Sequence, residues 1–141
     1  MSNQSDRQFN INQAIEFVCK NFLDNYLKTL YSHRILNNDN IIEVHGQRKK
    51  EDSAGFILIR ILINEENGEV LIPNIFVPLE DRGNNVGLGL LKMIFLISDR
   101  LSYNVCLVDL VDSFYDKMLQ RGALQTELYD ALQIVESTDL S

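Results

Sequence analysis

Between Val77 and Leu91 the chain reads VPLEDRGNNVGLGLL, the end of an apolar strand running into a glycine-bearing turn that opens directly into a helix. Such a turn suits a phosphate. The amides of a helix's first turn have no intrahelical partner and sit at the positive end of its dipole, so an anion there satisfies both. Gly83, Gly87 and Gly89 carry no Cβ, which lets the backbone take left-handed angles and approach a pyrophosphate closely. Two rival phosphate motifs fail on spacing. A Walker loop needs a Gly-Lys-Ser/Thr ending, and a dinucleotide fingerprint needs a glycine where Lys92 stands. An ordinary strand-to-helix turn is the alternative without chemistry.

The elements that must hold this turn follow from periodicity. Ile11, Ile15, Val18, Phe22, Tyr26 and Leu30 recur at three- and four-residue steps, which predicts a helix capped by Asn10, with Gln13 placed to complete a capping box. Residues 37–40, Asn-Asn-Asp-Asn, read as a turn. A short strand is expected over Ile41–His45, and FILIRILI over Phe56–Ile63 reads as a strand covered on both faces. Asn67-Gly68 suits a tight hairpin into an antiparallel strand over Val70–Val77. Pro73 within that strand cannot donate to a ladder, so it marks an edge, a bulge or a separation. A helix over about Asn85–Ser102, a strand over Asn104–Leu110 and a helix over Ser113–Arg121 follow, the last capped by Asp112 and stopped by Gly122. A short strand near Leu124, a turn about Tyr129 and Asp130, and a strand over Ala131–Glu136 close the order. Residues 1–9 are expected to be disordered, 10–136 to form a single domain and 137–141 a flexible tail.

Composition narrows the functional classes. A chain of 141 residues with 45% hydrophobic content supports one core of ordinary size. Its formal net charge of −7, from 20 acidic and 13 basic residues, repels a nucleic-acid backbone. The one dense basic run, Arg48-Lys49-Lys50, is followed at once by Glu51 and Asp52 and reads as a solvated loop. Cys19 and Cys106 lie in apolar patterns with no second metal ligand at a recognisable spacing, so no metal is expected and both read as buried free thiols. The polar start and the lack of a membrane-length apolar run point to a cytoplasmic protein with no membrane partner.

Order and motif together resemble the GNAT superfamily of acyl-CoA-dependent N-acyltransferases. The family pattern V-x-P-x-x-R-G-x-G-I-G-x-x-L-L is matched through Val77, Pro78, Arg82, Gly83, Val86, Gly87, Leu90 and Leu91, with Asn85 where a glycine is usual. Asn tolerates positive φ better than most residues, which keeps the turn with looser contact to phosphates. Phe114-Tyr115-Asp116-Lys117 resembles the family's F-Y-E-K segment, although Gly122-Ala123 lies further on than the usual G-F pair. The family's first strand has no counterpart before Ile11. The resemblance implies an α/β fold: a mixed, mostly antiparallel sheet with helices on both faces and a splay between the fourth and fifth family strands. It also implies acetyl-CoA or another acyl-CoA as cofactor, its pantetheine in the splay along Ile75 and Val77, and its pyrophosphate on the amides of Arg82, Gly83, Asn84, Asn85, Val86, Gly87 and Leu88.

Transfer of an acyl group to a primary amine needs an unprotonated nucleophile, a stabilised oxyanion and a proton for the departing thiolate. By the resemblance, Tyr115 supplies that proton; a core tyrosine tied to backbone is the alternative. The amide of Val77 is the oxyanion-donor candidate. The base is open among Glu43, Glu69 and Asp109, since Asn74, in the strand position that some relatives give to glutamate, cannot accept a proton. His33 and His45 lack a partner pattern. An acidic enzyme attracts a cationic acceptor, a small molecule or a peptide amine, and a homodimer is compatible. An inactive acyl-CoA-binding or protein-interaction module on the same scaffold is the competing expectation.

Overall fold

Apolar residues at four-residue steps do build the first helix, but on a wider span than its cap signal suggests. The computed structural model describes residues 3–26, 31–48, 55–75 and 86–141. Helix α1 covers Asn3–Tyr26, so it begins well before Asn10 and takes in residues expected to be disordered. Residues 3–10 contain neither Gly nor Pro, so nothing in them stops the helix propagating backward. Ile11, Ile15, Cys19 and Leu23 are fully buried and form its inner stripe. Burial of this kind contributes about 1.5–3 kcal/mol for each large aliphatic side chain. It also pushes the Cys19 thiol up to about 12, with Glu16 adding to the effect, which removes it as a nucleophile.

The next element is one the periodicity concealed. Strand β1, Tyr31–Asn38, pairs antiparallel with β2, Ile41–Arg48, across the turn read at Asn37–Asn40. Asp39 takes φ 53° there, a left-handed angle that Asp tolerates. Asn37 Nδ2 donates to Glu16 Oε1 at 2.9 Å, and Asn12 donates to the Asp39 carbonyl, tying the hairpin to α1.

Strand β3, Phe56–Asn64, and strand β4, Glu69–Ile75, form the expected hairpin, but its loop spans Glu65–Gly68. Gly68 closes it at φ 65°, donating to the Glu65 carbonyl at 3.2 Å. Helix α2, Val86–Arg100, then leads to β5, Asn104–Leu107, helix α3, Asp112–Gln120, and the short strands β6, Leu124–Gln125, and β7, Leu132–Ile134. The strands lie in one sheet in the order β1-β2-β3-β4-β5-β7-β6; β4 and β5 are parallel and every other pair is antiparallel. This is the mixed, mostly antiparallel α/β sheet expected.

Register lines up one apolar face across five strands. Ile42 faces Ile61, Val44 faces Ile59, Ile63 faces Val70, Val70 faces Val105, and Val105 faces Ile134, all of them buried. The second face is covered unevenly. At β5, Val105, Cys106 and Leu107 are all buried, so both faces are closed there. On β3, Ile57 and Arg60 are exposed, which corrects the reading of a strand covered on both sides. Leu58 and Ile59 are both buried because the β2–β3 register shifts between Val44 and His45.

Helices α1 and α2 pack together where Gly89 meets Phe22: a Cβ on Gly89 would lie 2.9 Å from Phe22 Cζ. Both later helices end in the same device. Tyr103 N donates to Ser98 O and Ser102 N to Asp99 O, with Ser102 at φ 66°; Ala123 N donates to Met118 O and Gly122 N to Leu119 O, with Gly122 at φ 97°. The residues expected as a flexible tail pack onto the second of these ends. Asp139 N donates to Arg121 O at 2.7 Å, Arg121 Nη1 donates to the carbonyls of Asp139 and Ser141, and Leu140 is buried. An arginine reaching back to chain carbonyls, with an apolar anchor between them, overcomes the entropy of a short terminal segment.

Candidate functional site

The pairing of β4 with β5 is short, and its end is the notable feature of the sheet. The register runs from Glu69↔Asn104 to Ile72↔Leu107, and Val108 N adds the last rung to Ile72 O at 3.0 Å. Beyond it the two chains part for reasons written in each. On the β4 side, Arg60 pairs with Asn74 and Leu62 with Leu71, so Ile72 and Pro73 together face Ile61 alone. Pro73 therefore sits in a β-bulge, where a residue without an N–H is tolerated and where the strand bends. On the β5 side, Asp109 takes φ 54° and turns the chain away, and Leu110 N then donates to Asp130 O at 3.0 Å.

The fork opens a small cleft bounded by Ile72, Pro73 and Ile75 on one side and by Leu107, Asp109, Leu110, Val111 and Phe114 on the other. Of these residues only Asp109 has a polar side chain, and it is exposed. The parallel pairing also fixes where α2 begins. A helix joining two parallel neighbours must run back along the sheet, so its N-terminus lies at the end where both strands finish, which is the end with the fork. Val86, Gly87 and Leu88 form its first turn, and none of that turn is acidic. Their amides have no intrahelical partner.

The sequence-derived site divides accordingly. Ile75 lines the cleft as the last residue of β4, and Val86, Gly87 and Leu88 open α2. Val77, Arg82, Gly83, Asn84 and Asn85 lie outside the described residues. Gly89 has another use than the one read for it, since its missing Cβ admits Phe22 of α1. Asp112 is the first residue of α3 and not its cap; Val111 holds the cap position in extended backbone with no side-chain cap bond. An acidic residue in the first turn is still favourable, through the dipole instead of a capping bond.

Tyr115, expected to supply the proton, is not among the residues that line the cleft. Adjacent helical residues point about 100° apart, and it is Phe114 that lines the cleft. Tyr115 is half-buried in the same turn, and its hydroxyl accepts from Gln125 Nε2 at 3.4 Å. Of the three carboxylates left open as base, only Asp109 reaches the cleft. Glu69 begins β4, at the opposite end of the strand. Glu43 lies on β2, where the His45 ring and the Arg60 guanidinium hydrogen-bond it at 3.0 and 2.6 Å and hold its carboxyl below the usual range. Among the described residues no group of His, Cys, Asp and Glu could hold a metal ion. No helix among them is long and apolar enough to cross a membrane.

No family model matches the chain, and no curated protein matches it. Among solved structures the chain is similar to one described as "Crystal structure of putative acetyltransferase from Agrobacterium tumefaciens", at 11% identity over 94% of this chain and 90% of that one, with a TM-score of 0.37. A likeness at that level carries no functional weight beside the geometry of the fork.

Proposed function

We propose that this protein is a GNAT-type N-acyltransferase that moves an acetyl or short acyl group from coenzyme A to a primary amine. The observation that carries the reading is the fork itself: a β4 edge that, among the described residues, has no β5 partner from Pro73 to Ile75, faced across a cleft by residues 107–114, with the non-acidic first turn of α2 at the same end of the sheet. These residues fit the proposed cofactor. A slender amide-bearing arm matches an open strand edge, a diphosphate matches free helix-start amides, and the VPLEDRGNNVGLGLL motif spans the two. When bound, the coenzyme supplies a thioester as acyl donor. Ile75 and Val77 would hold its arm, and Arg82–Leu88 its phosphates. The apolar walls exclude water, which keeps the acyl group from hydrolysis and strengthens polar contacts made inside.

Proton delivery to the leaving sulfur is assigned to Tyr115, one helical position from the cleft wall. Thiol release from acetyl-CoA with a panel of primary amines tests the activity. Tyr115→Phe should lower turnover by about 100-fold, a typical worth for a general acid, while the thermal shift given by acetyl-CoA stays the same. Absence of any thermal shift with acetyl-CoA overturns the reading.

The bond from Gln125 to the Tyr115 hydroxyl favours a second reading, because that hydroxyl is engaged beside the cleft and not on its wall. In that reading the protein holds acyl-CoA without turnover. Binding of acetyl-CoA with no transfer to any amine selects it. The acceptor proposed is a small molecule or a peptide amine, and neither reading calls for a nucleic-acid or membrane partner. Cytoplasmic residence and a homodimer belong to the same proposal.

A further inference from the structure

We infer that two copies of this chain associate through strand β1, which pairs antiparallel with its own copy about a two-fold axis at Ile35. The inference takes up the homodimer of the proposed function and names its contact surface; it rests on the edges of the sheet and draws nothing from the acyltransferase chemistry. The seven-stranded sheet ends on β1 at one side and on β6 at the other. The two edges differ. Strand β6 has two residues, and the chain beyond it is folded into a turn: Thr126 Oγ1 accepts from Leu128 N and donates to Ala131 O, each at 3.1 Å, and Leu110 N donates to Asp130 O. So short an edge gives a neighbouring strand almost nothing to pair with. Strand β1 has eight residues, each in register with β2 and none in a bulge. An antiparallel strand bonds one neighbour through alternate residues, so its remaining amides and carbonyls point to the open side. Among the described residues no strand and no backbone hydrogen bond meets that side. Tyr31–Asn38 also contains no proline or lysine, the usual guards of an edge, and no acidic residue. In a chain of net charge −7, an edge free of acids is where a second copy is repelled least.

Symmetry and the pleat limit the register. Residues opposed across an antiparallel pair point to the same face, so self-pairing about a two-fold axis must be centred on a residue and not between two. Two such registers pair seven of the eight residues of β1. Centring on Arg34 sets one guanidinium against the other, whereas centring on Ile35 sets Arg34 against the partner's Leu36. The second register suits both faces. Ile35 lies opposite buried Val44 and packs against the core, so its copy adds aliphatic contact there. Arg34 and Leu36 lie on the other face, opposite His45 and Glu43, and both are exposed. Arg34 has no acidic partner among the described residues, where the ion pairs join Glu43 to His45 and Arg60, and Arg121 to Asp139. Beyond the partner's Leu36 the next residue in the row is the partner's Glu43, a carboxylate within reach of a long side chain.

Sedimentation equilibrium on the full chain should show a reversible monomer–dimer equilibrium. Amide exchange along β1 should slow as concentration rises, and exchange along β6 should not. Leu36→Lys places a cation against the partner's Arg34 at two symmetric points and should weaken the dimer by about fivefold or more. Within its own chain the new cation stands opposite Glu43, so the fold should be kept, as circular dichroism checks. Adding Arg34→Glu turns both contacts into opposite-charge pairs and should return the dimer to within about threefold of the parent. A chain that is monomeric at every concentration, protection that grows at β6 instead, a dimer indifferent to Leu36→Lys, or a double variant no tighter than the single overturns the inference. The thermal shift given by acetyl-CoA is read on the same samples. The fork lies at β4, three strands along the sheet from β1, so Leu36→Lys should keep that shift. A monomer that responds to acetyl-CoA ends the inference and leaves the acyltransferase reading; a dimer through β1 that does not respond does the reverse.

Discussion

Substituting Gly89 with alanine tests whether that glycine serves helix packing or phosphate approach. In a helix, alanine is favoured over glycine by about 0.8–1.0 kcal/mol, so propensity alone makes Gly89→Ala stabilising. Contact opposes it. The new Cβ would stand 2.9 Å from Phe22 Cζ and 3.1 Å from Cε2, against about 3.5–4.0 Å for comfortable carbon pairs. Phe22 is half-buried against the core, so either its ring must give way or α1 must shift from α2. Overpacking of this kind costs about 1–3 kcal/mol, which cancels or exceeds the propensity gain and leaves a net loss of about 0–2 kcal/mol. The Phe22→Ala background isolates the clash: with the ring gone, Gly89→Ala should become stabilising by about 0.5–1 kcal/mol. Urea unfolding of the four chains, followed by circular dichroism, gives a coupling energy of about 1–3 kcal/mol. A stabilising Gly89→Ala in the presence of Phe22, or a coupling under about 0.5 kcal/mol, refutes the packing account. If the glycine serves phosphate approach instead, Gly89→Ala should lower acetyl-CoA affinity while gaining about 0.8–1.0 kcal/mol of helix propensity.

Two further outcomes follow from backbone geometry and charge. Gly122→Ala has room for its Cβ, 3.5 Å from Ser137 O, but must hold φ 97°; it should lose about 1–2 kcal/mol, seen as a lower thermal midpoint, and Gly122→Asn should lose less. Glu43 is held below its ordinary value of 4.5 by hydrogen bonds from His45 and Arg60, so it stabilises the fold above that pH and loses the effect as pH falls through its lowered folded value. Glu43→Gln should therefore cost about 0.2–1 kcal/mol at pH 7, with the gap to the parent chain closing on acidification and shrinking in salt. A gap that stays constant down to low pH contradicts the assignment.

Much of the fold was legible because its signals are local. Gly122 ends α3 as read, since a positive φ is a property of one residue. The alternation of isoleucines in β3 gave its strand, and Pro73 announced an irregularity that is present as a bulge. Strand β1 was hidden because Tyr26 and Leu30 extend the helical spacing, and because a strand whose last residues are exposed carries no alternating apolar signal. The extent of α1 and the packed tail were missed for the same reason: both depend on what they touch. Helix α1 is held by the hairpin and by α2, and the tail by Arg121.

For the site, the chain by itself determined the chemistry on offer: a glycine-bearing turn into a helix, a Phe-Tyr pair opening another, and three candidate carboxylates. Those are statements of residue type and short spacing, which covalent geometry carries. Only the tertiary structure decided which of them meet. The fork needs the last rung at Ile72, the bulge opposite Ile61 and the kink at Asp109 at once, and these come from β3, β4 and β5. That convergence brings Phe114 to the wall in place of Tyr115 and Asp109 to the cleft in place of Glu43 or Glu69. Side-chain direction at a site is set by register between strands distant in the chain, and register is a property of the packed sheet.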